Sequence, residues 1–225
     1  MTGIAGTAAL VAEDLACRRG ERLIFAGVSL VLAPGGAVVL TGANGSGKSS
    51  LLRLLATLLA PDAGRILWDG APVGDDIAAY RAHLAYVGHR DAIKPALSIR
   101  ETLGFWAAMR GTTQPAIDPE LAAFGLETIA DWPCGWLSAG QRRRLALARL
   151  VATPAALWLL DEPGAALDAD GEARLAAAIA SHRAAGGHVI VATHQATAVP
   201  GASELRLGDF APTANDSADD PLAVY

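Results

Sequence analysis

The 225-residue chain reads as an α/β fold: a mostly parallel sheet covered by helices, with an N-terminal antiparallel β portion and an inserted helical subdomain. Three observations predict it. Gly42-Ala43-Asn44-Gly45-Ser46-Gly47-Lys48-Ser49 fits the pattern G-x-x-x-x-G-K-[ST] and lies between an aliphatic run and a leucine-spaced helix. Strand-loop-helix alternation resumes after Ser138, as a parallel sheet with covering helices requires. Between Ile93 and Trp136 the texture is helical instead, as an insertion would be.

Taken in order, residues 28–32 and 37–41 are β-branched or aliphatic runs separated by Pro34-Gly35-Gly36, so they read as two strands and a turn. The second strand feeds the Gly-rich loop. Residues 50–59 have the leucine spacing and length of a buried helix, which Pro61-Asp62-Ala63-Gly64 stops. Residues 65–69 read as a strand before a turn at Gly70-Ala71-Pro72, and 84–88 as another. Helical patterns follow at 99–110 and 119–130, inside an insertion spanning about 91–137. Residues 141–152 form a helix with a basic start, 156–160 a buried strand, 171–185 an Ala-rich helix and 189–193 a further strand. There is no internal repeat, so residues 1–210 are expected to form one domain. Residues 211–225, rich in Asp, Ala and Pro, are expected to form a flexible acidic tail.

Bulk properties exclude several classes. Hydrophobic residues make up 52% and mean hydropathy is +0.32, but alanine supplies much of this. No apolar run approaches the roughly eighteen residues of a membrane span. Met1-Thr2-Gly3-Ile4 lacks the basic start of a signal peptide, which makes cytoplasmic synthesis the expectation. A net charge of −5 argues against nucleic-acid binding by broad charge attraction. Cys17 and Cys134 form no C-x-x-C pair, so they read as buried or half-exposed thiols.

The Gly-rich loop is suited to phosphates. Gly42, Gly45 and Gly47 let successive backbone N–H groups point inward, with Ala43 needed there only for its backbone and Asn44 and Ser46 completing the loop. The helix that follows, opening with Lys48, Ser49 and Ser50, adds the positive end of its dipole. Lys48 supplies a mobile cation to the outer phosphates of a nucleotide such as ATP, and the Ser49 hydroxyl is placed to ligate Mg²⁺. The apolar run Leu157-Trp158-Leu159-Leu160 delivers Asp161 and Glu162 at the sheet edge where ligands bind. Asp161 is expected to hold Mg²⁺, directly or through water, and Glu162 to polarise the attacking water as general base. Leu137-Ser138-Ala139-Gly140-Gln141 is by itself a helix start, with Ser138 a good N-cap and Gly140 allowing close backbone approach. Arg142, Arg143 and Arg144 read as a solvated face or partner-docking patch.

The ordered set resembles the ATP-binding subunits of ABC transporters from about Leu10 to Leu207, with Ala139 in place of the first glycine of the usual L-S-G-G-Q. The resemblance implies a head-to-tail dimer of two copies enclosing two ATP molecules, in which Ser138, Ala139, Gly140 and Gln141 of one copy cap the γ-phosphate held by the other. It implies that Asp168 is a dimer-contact aspartate and that His194 senses the γ-phosphate. Two departures stand out. Where the family has an adenine-stacking aromatic residue, this chain has Cys17-Arg18-Arg19-Gly20, which makes Arg19 or Arg18 the candidate. Where the family has a glutamine near Mg²⁺, Tyr86-Val87-Gly88 leads to His89.

Those departures, with Ile93-Lys94-Pro95, Glu101-Thr102-Leu103 and the run from Leu137 to Leu150, are similar to one subgroup, the haem exporter ATP-binding subunit of cytochrome c maturation. This implies an integral membrane permease subunit and other cytochrome c maturation proteins as partners, at the cytoplasmic face of the inner membrane, with no nucleic acid. Two alternatives are weaker. A non-transport ATP-gated clamp would carry a long heptad run or a cysteine cluster between Gly47 and Ser138, and neither is present. A small-molecule kinase would not need the Ser138 turn or Asp168.

Overall fold

The computed structural model describes residues 9–112, 117–153, 155–194 and 199–212. Two sheets organise it. β1 (Leu10–Arg19) pairs antiparallel with β2 (Arg22–Leu32) and β4 (Ala63–Trp68), and β5 (Ala71–Pro72) completes the order β2-β1-β4-β5. The second sheet is parallel throughout: β3 (Ala37–Thr41), β6 (Leu84–Val87), β7 (Leu157–Asp161), β8 (His188–Ala192) and β9 (Ser203–Arg206) lie in the order β6-β7-β8-β3-β9. Every residue of β7 and β8 is buried, which is why these strands read as unbroken apolar runs rather than as alternating ones.

The pleat divides the core in two. Ala37 and Val39, Trp158 and Leu160, and Val189 and Val191 face one cluster, against α3 (Ile99–Met109), α4 (Ile117–Ala123), α5 (Ala139–Ala152) and α6 (Ala169–Ala184). Their neighbours Val38 and Leu40, Leu157 and Leu159, and Ile190 and Ala192 face the other, against α1 (Lys48–Leu55), α2 (Ile77–Ala82) and the antiparallel sheet. The inserted helices α3 and α4 lie between β6 and α5 in sequence and pack on α5.

Several expectations shift. The turn at Pro34-Gly35-Gly36 joins two strands as expected but carries the chain from one sheet to the other, since β2 and β3 are not partners. The first helix ends at Leu55, because Thr57 adopts a left-handed φ of 55°. The second helix of the insertion stops at Ala123, and Gly125 (φ 66°) turns the chain into a short 3₁₀ turn at Glu127–Ile129. β1, α2 and β9 were not expected. The tail beyond residue 212 lies outside the described residues.

Candidate functional site

Four strands of the parallel sheet end at one edge. β3 runs into the Gly-rich loop, β6 into Gly88 and His89, β7 into Asp161 and Glu162, and β8 into Thr193 and His194. The C-terminal edge of such a sheet is where loops from separate strands can converge on a ligand. Gly47 shapes the loop's exit. It caps α1 at φ 102° with no side-chain cap, and a Cβ there would lie 2.8 Å from Ile24 Cγ2 and Phe25 Cδ1. Only glycine lets α1 start that close to β2, with its positive end open to an anion.

Arg19, Asn44, Gly45, Gly47, Lys48, Ser49, Ser50, His89, Asp161, Glu162 and His194 line one cavity of about 790 Å³. Lys48, although buried, folds its amine back onto the loop and donates to the carbonyls of Gly42 (2.8 Å) and Ala43 (3.3 Å). The Ser46 hydroxyl is buried in the same loop without a hydrogen-bond partner. A cation on loop carbonyls beside an orphaned hydroxyl is a cradle that fits phosphate oxygens. Ser49 Oγ donates to Asp161 Oδ1 at 3.0 Å, which brings together a hydroxyl and a carboxylate that together suit a hard divalent cation. Among the described residues no group of three or more His, Cys, Asp or Glu converges on a metal position.

Glu162 and His194 meet: His194 Nε2 lies 3.3 Å from Glu162 Oε1, both partly exposed to the cavity. Glu162 has a φ of 46°, uncommon for a residue that carries a Cβ, and its N–H donates to Ala192 O of β8 at 2.8 Å. A non-glycine residue held there costs about 1–3 kcal/mol and persists where surrounding structure over-determines it. Of the two arginines open as adenine candidates, Arg19 reaches the cavity, whereas Arg18 turns away, its guanidinium donating to Glu21 O at 3.1 Å. Arg22 and Arg53 also line the cavity and went unnoticed in the sequence, where isolated arginines carry no signal.

Ser138, Ala139, Gly140, Gln141 and Asp168 are not part of that cavity wall. Ser138 Oγ accepts from Gln141 N (3.1 Å) and Gln141 Oε1 accepts from Ser138 N (2.9 Å), a complete capping box at the start of α5. Ala139 is the exposed first residue of α5 with no left-handed φ, so alanine fits where the family usually has glycine. Gly140 is different: a Cβ on it would press to 2.9 Å from Ala166 O. Asp168 caps α6, accepting from Gly171 N at 2.9 Å, and it pairs with Arg144. The Gly171 N–H first, and Arg144 second, hold its carboxyl below the usual carboxylate range. The arginine run is not a solvated face. Arg144 is tied to Asp168 and Asp170, Arg142 donates to Leu137 O, and Arg143 is buried.

The ABC transporter family model matches residues 25–165, which carry the Gly-rich loop, the Ser138 turn and Asp161-Glu162. The chain belongs to the ABC transporter family. Among its relatives are two proteins named cytochrome c biogenesis ATP-binding export protein CcmA. That of Rhodospirillum rubrum is 57% identical over 200 residues, covering 89% of this chain and 86% of the relative. That of Paramagnetospirillum magneticum is 50% identical over 204 residues, covering 89% and 94%. The fold matches a solved putative ABC transporter ATP-binding protein from Pyrococcus furiosus with a TM-score of 0.80 at 22% identity, over 91% of this chain and all of that one.

Proposed function

We propose that this chain is the ATP-binding and ATP-hydrolysing subunit of an exporter serving cytochrome c biogenesis. The observation that carries it is identity above one half, across nine-tenths of the chain, to a protein of that name. The cleft supports the same conclusion. The Gly-rich loop and Lys48 bind the β- and γ-phosphates, and Arg19 packs against the base. Ser49 and Asp161 would hold Mg²⁺, and His89, which lines the same cavity, would contact its water shell. The ion, when bound, offsets the charge that develops on the phosphates. Glu162 accepts a proton from the attacking water, and His194 contacts the γ-phosphate and orients Glu162.

One chain leaves that cleft open on one side. A second copy, placed head to tail, closes it with its Ser138-to-Gln141 turn and Asp168. Among the described residues no helix is long and apolar enough to cross a membrane. In this proposal an integral permease subunit attaches the chain to the cytoplasmic face of the inner membrane. Residues 1–210 act as one unit, with the helical insertion at about 91–137 carrying closure to that subunit.

Hydrolysis and binding should separate by mutation. Lys48→Ala weakens nucleotide binding by at least about tenfold, read with a fluorescent ATP analogue. Glu162→Gln retains binding and slows hydrolysis by about 10²–10⁴-fold, the range general-base loss gives. Purification from membranes retains an integral protein of the cytochrome c maturation set. Hydrolysis by Glu162→Gln at the wild-type rate would overturn the assignment of the base.

A further inference from the structure

Arg143 spends every donor it has. A guanidinium carries five N–H groups in one plane. Nε donates to Pro163 O (3.1 Å), Nη1 to Gly88 O (2.9 Å) and Asp91 Oδ1 (3.1 Å), and Nη2 to Asp161 O (2.9 Å) and Glu162 O (2.8 Å). The residue is 4% exposed. Three successive carbonyls, 161 to 163, therefore turn toward one cation, an arrangement that repulsion between their dipoles disfavours without it. That turn holds Glu162 at φ 46°.

We infer that Arg143 is a positioning residue for hydrolysis: it fixes the backbone of Glu162, and with it the direction of the carboxylate, by bridging the loops after β6 and β7. The inference rests on the proposed role of Glu162 as general base. Arg143 also stands two residues beyond Gln141 on α5, so any displacement of the Ser138-to-Gln141 turn is transmitted to the carbonyls that carry Glu162. Lysine cannot substitute. Its ammonium has three donors and no planar fork, so it meets at most three of the five acceptors.

The test is steady-state ATP hydrolysis by the full chain in its membrane complex, with nucleotide affinity and melting temperature measured alongside. Arg143→Lys is expected to lower kcat by about tenfold or more while KM for ATP stays within about threefold. Arg143→Lys combined with Glu162→Gln is expected to be no slower than Glu162→Gln alone, because Arg143 acts through Glu162. Asp91→Asn, which loosens the guanidinium without removing it, is expected to give a smaller fall in kcat at unchanged KM. An unchanged kcat in Arg143→Lys overturns the inference, as does a loss that multiplies with that of Glu162→Gln. Where Arg143→Lys does not fold, Asp91→Asn decides: a fall in kcat at constant KM supports the inference and an unchanged kcat overturns it. If Glu162→Gln itself hydrolyses normally, the proposed function fails; if Glu162→Gln stalls and Arg143→Lys does not, only the role of Arg143 fails.

Discussion

His182 is not on the wall of the candidate cleft, but it sets how the molecule meets acid. Its ring stacks on Trp158 with centroids 3.9 Å apart and planes 6° from parallel, and Nε2 lies 3.3 Å from His188 O. Burial is the main cause that lowers its pKa to about 4, against a partial offset from the His188 carbonyl. The sign follows from the unfolded value near 6.5. Between about 6.5 and 4 the unfolded chain binds the proton and the folded chain does not, so stability falls as pH drops through that window and the full contribution is present above it. The loss amounts to at most about 3 kcal/mol. Urea unfolding between pH 7 and pH 4 checks it, with His182→Phe, which keeps a flat ring on Trp158, expected to flatten the slope. Glu162 makes a different point at the same scale. Its left-handed backbone is strained, and Gln at that position keeps the strain while removing the proposed base. Glu162→Gln therefore isolates chemistry from conformation, which a change to glycine would not.

At the scale of the element, α5 carries two duties on its first turn. Ser138 satisfies one of the helix's free N–H groups, that of Gln141, and in the proposed dimer it also faces the other copy's γ-phosphate. The two duties separate. Ser138→Ala removes the cap and is expected to cost about 1 kcal/mol in the nucleotide-free chain. Ser138→Asp keeps the cap and sets a negative charge against the helix's positive end, so stability is retained within about 0.5 kcal/mol. The same carboxylate would oppose the γ-phosphate, and hydrolysis is expected to fall in Ser138→Asp at least as far as in Ser138→Ala. Chemical denaturation and ATP turnover on the two variants check both halves. The elements differ in how far the sequence announced them. β7 and β8 were legible because strands buried on both faces leave unbroken apolar runs. β1 was not, since its register slips between Ala12 and Leu15 and Asp14 sits at φ 47°, which breaks the alternation that would reveal it. β9 was hidden by its composition, Ser203-Glu204-Leu205-Arg206, none of it buried. The cleft residues at strand ends were legible from motif order. Arg143 was not: successive helix residues point about 100° apart, and three adjacent arginines do not say which one turns inward.

In the proposed head-to-tail dimer the whole molecule is a half-site. The cavity that holds Lys48, Ser49, Asp161 and Glu162 and the exposed pair Ser138 and Ala139 belong to separate surfaces of one chain. The proposed head-to-tail pair would bring each to the other, and a pair of cysteines placed at Asn44 and Ala139 would report it. The native thiols make this practicable. Cys17 and Cys134 are at most 1% exposed, and burial raises both thiol pKa values, so neither competes for a thiol crosslinker. Asn44→Cys and Ala139→Cys are introduced together in the Glu162→Gln background, where ATP binds without turnover. A short bifunctional maleimide is expected to give a covalent dimer with ATP and little without it. The yield should rise with protein concentration, as an association between copies demands, and it should collapse when Lys48→Ala is added, because the triphosphate that the two surfaces share is then no longer held. Equal crosslinking with and without ATP, at concentrations where the wild-type chain hydrolyses it, would mean that the Ser138 turn is not the lid, and that the capping box on α5 serves the helix alone.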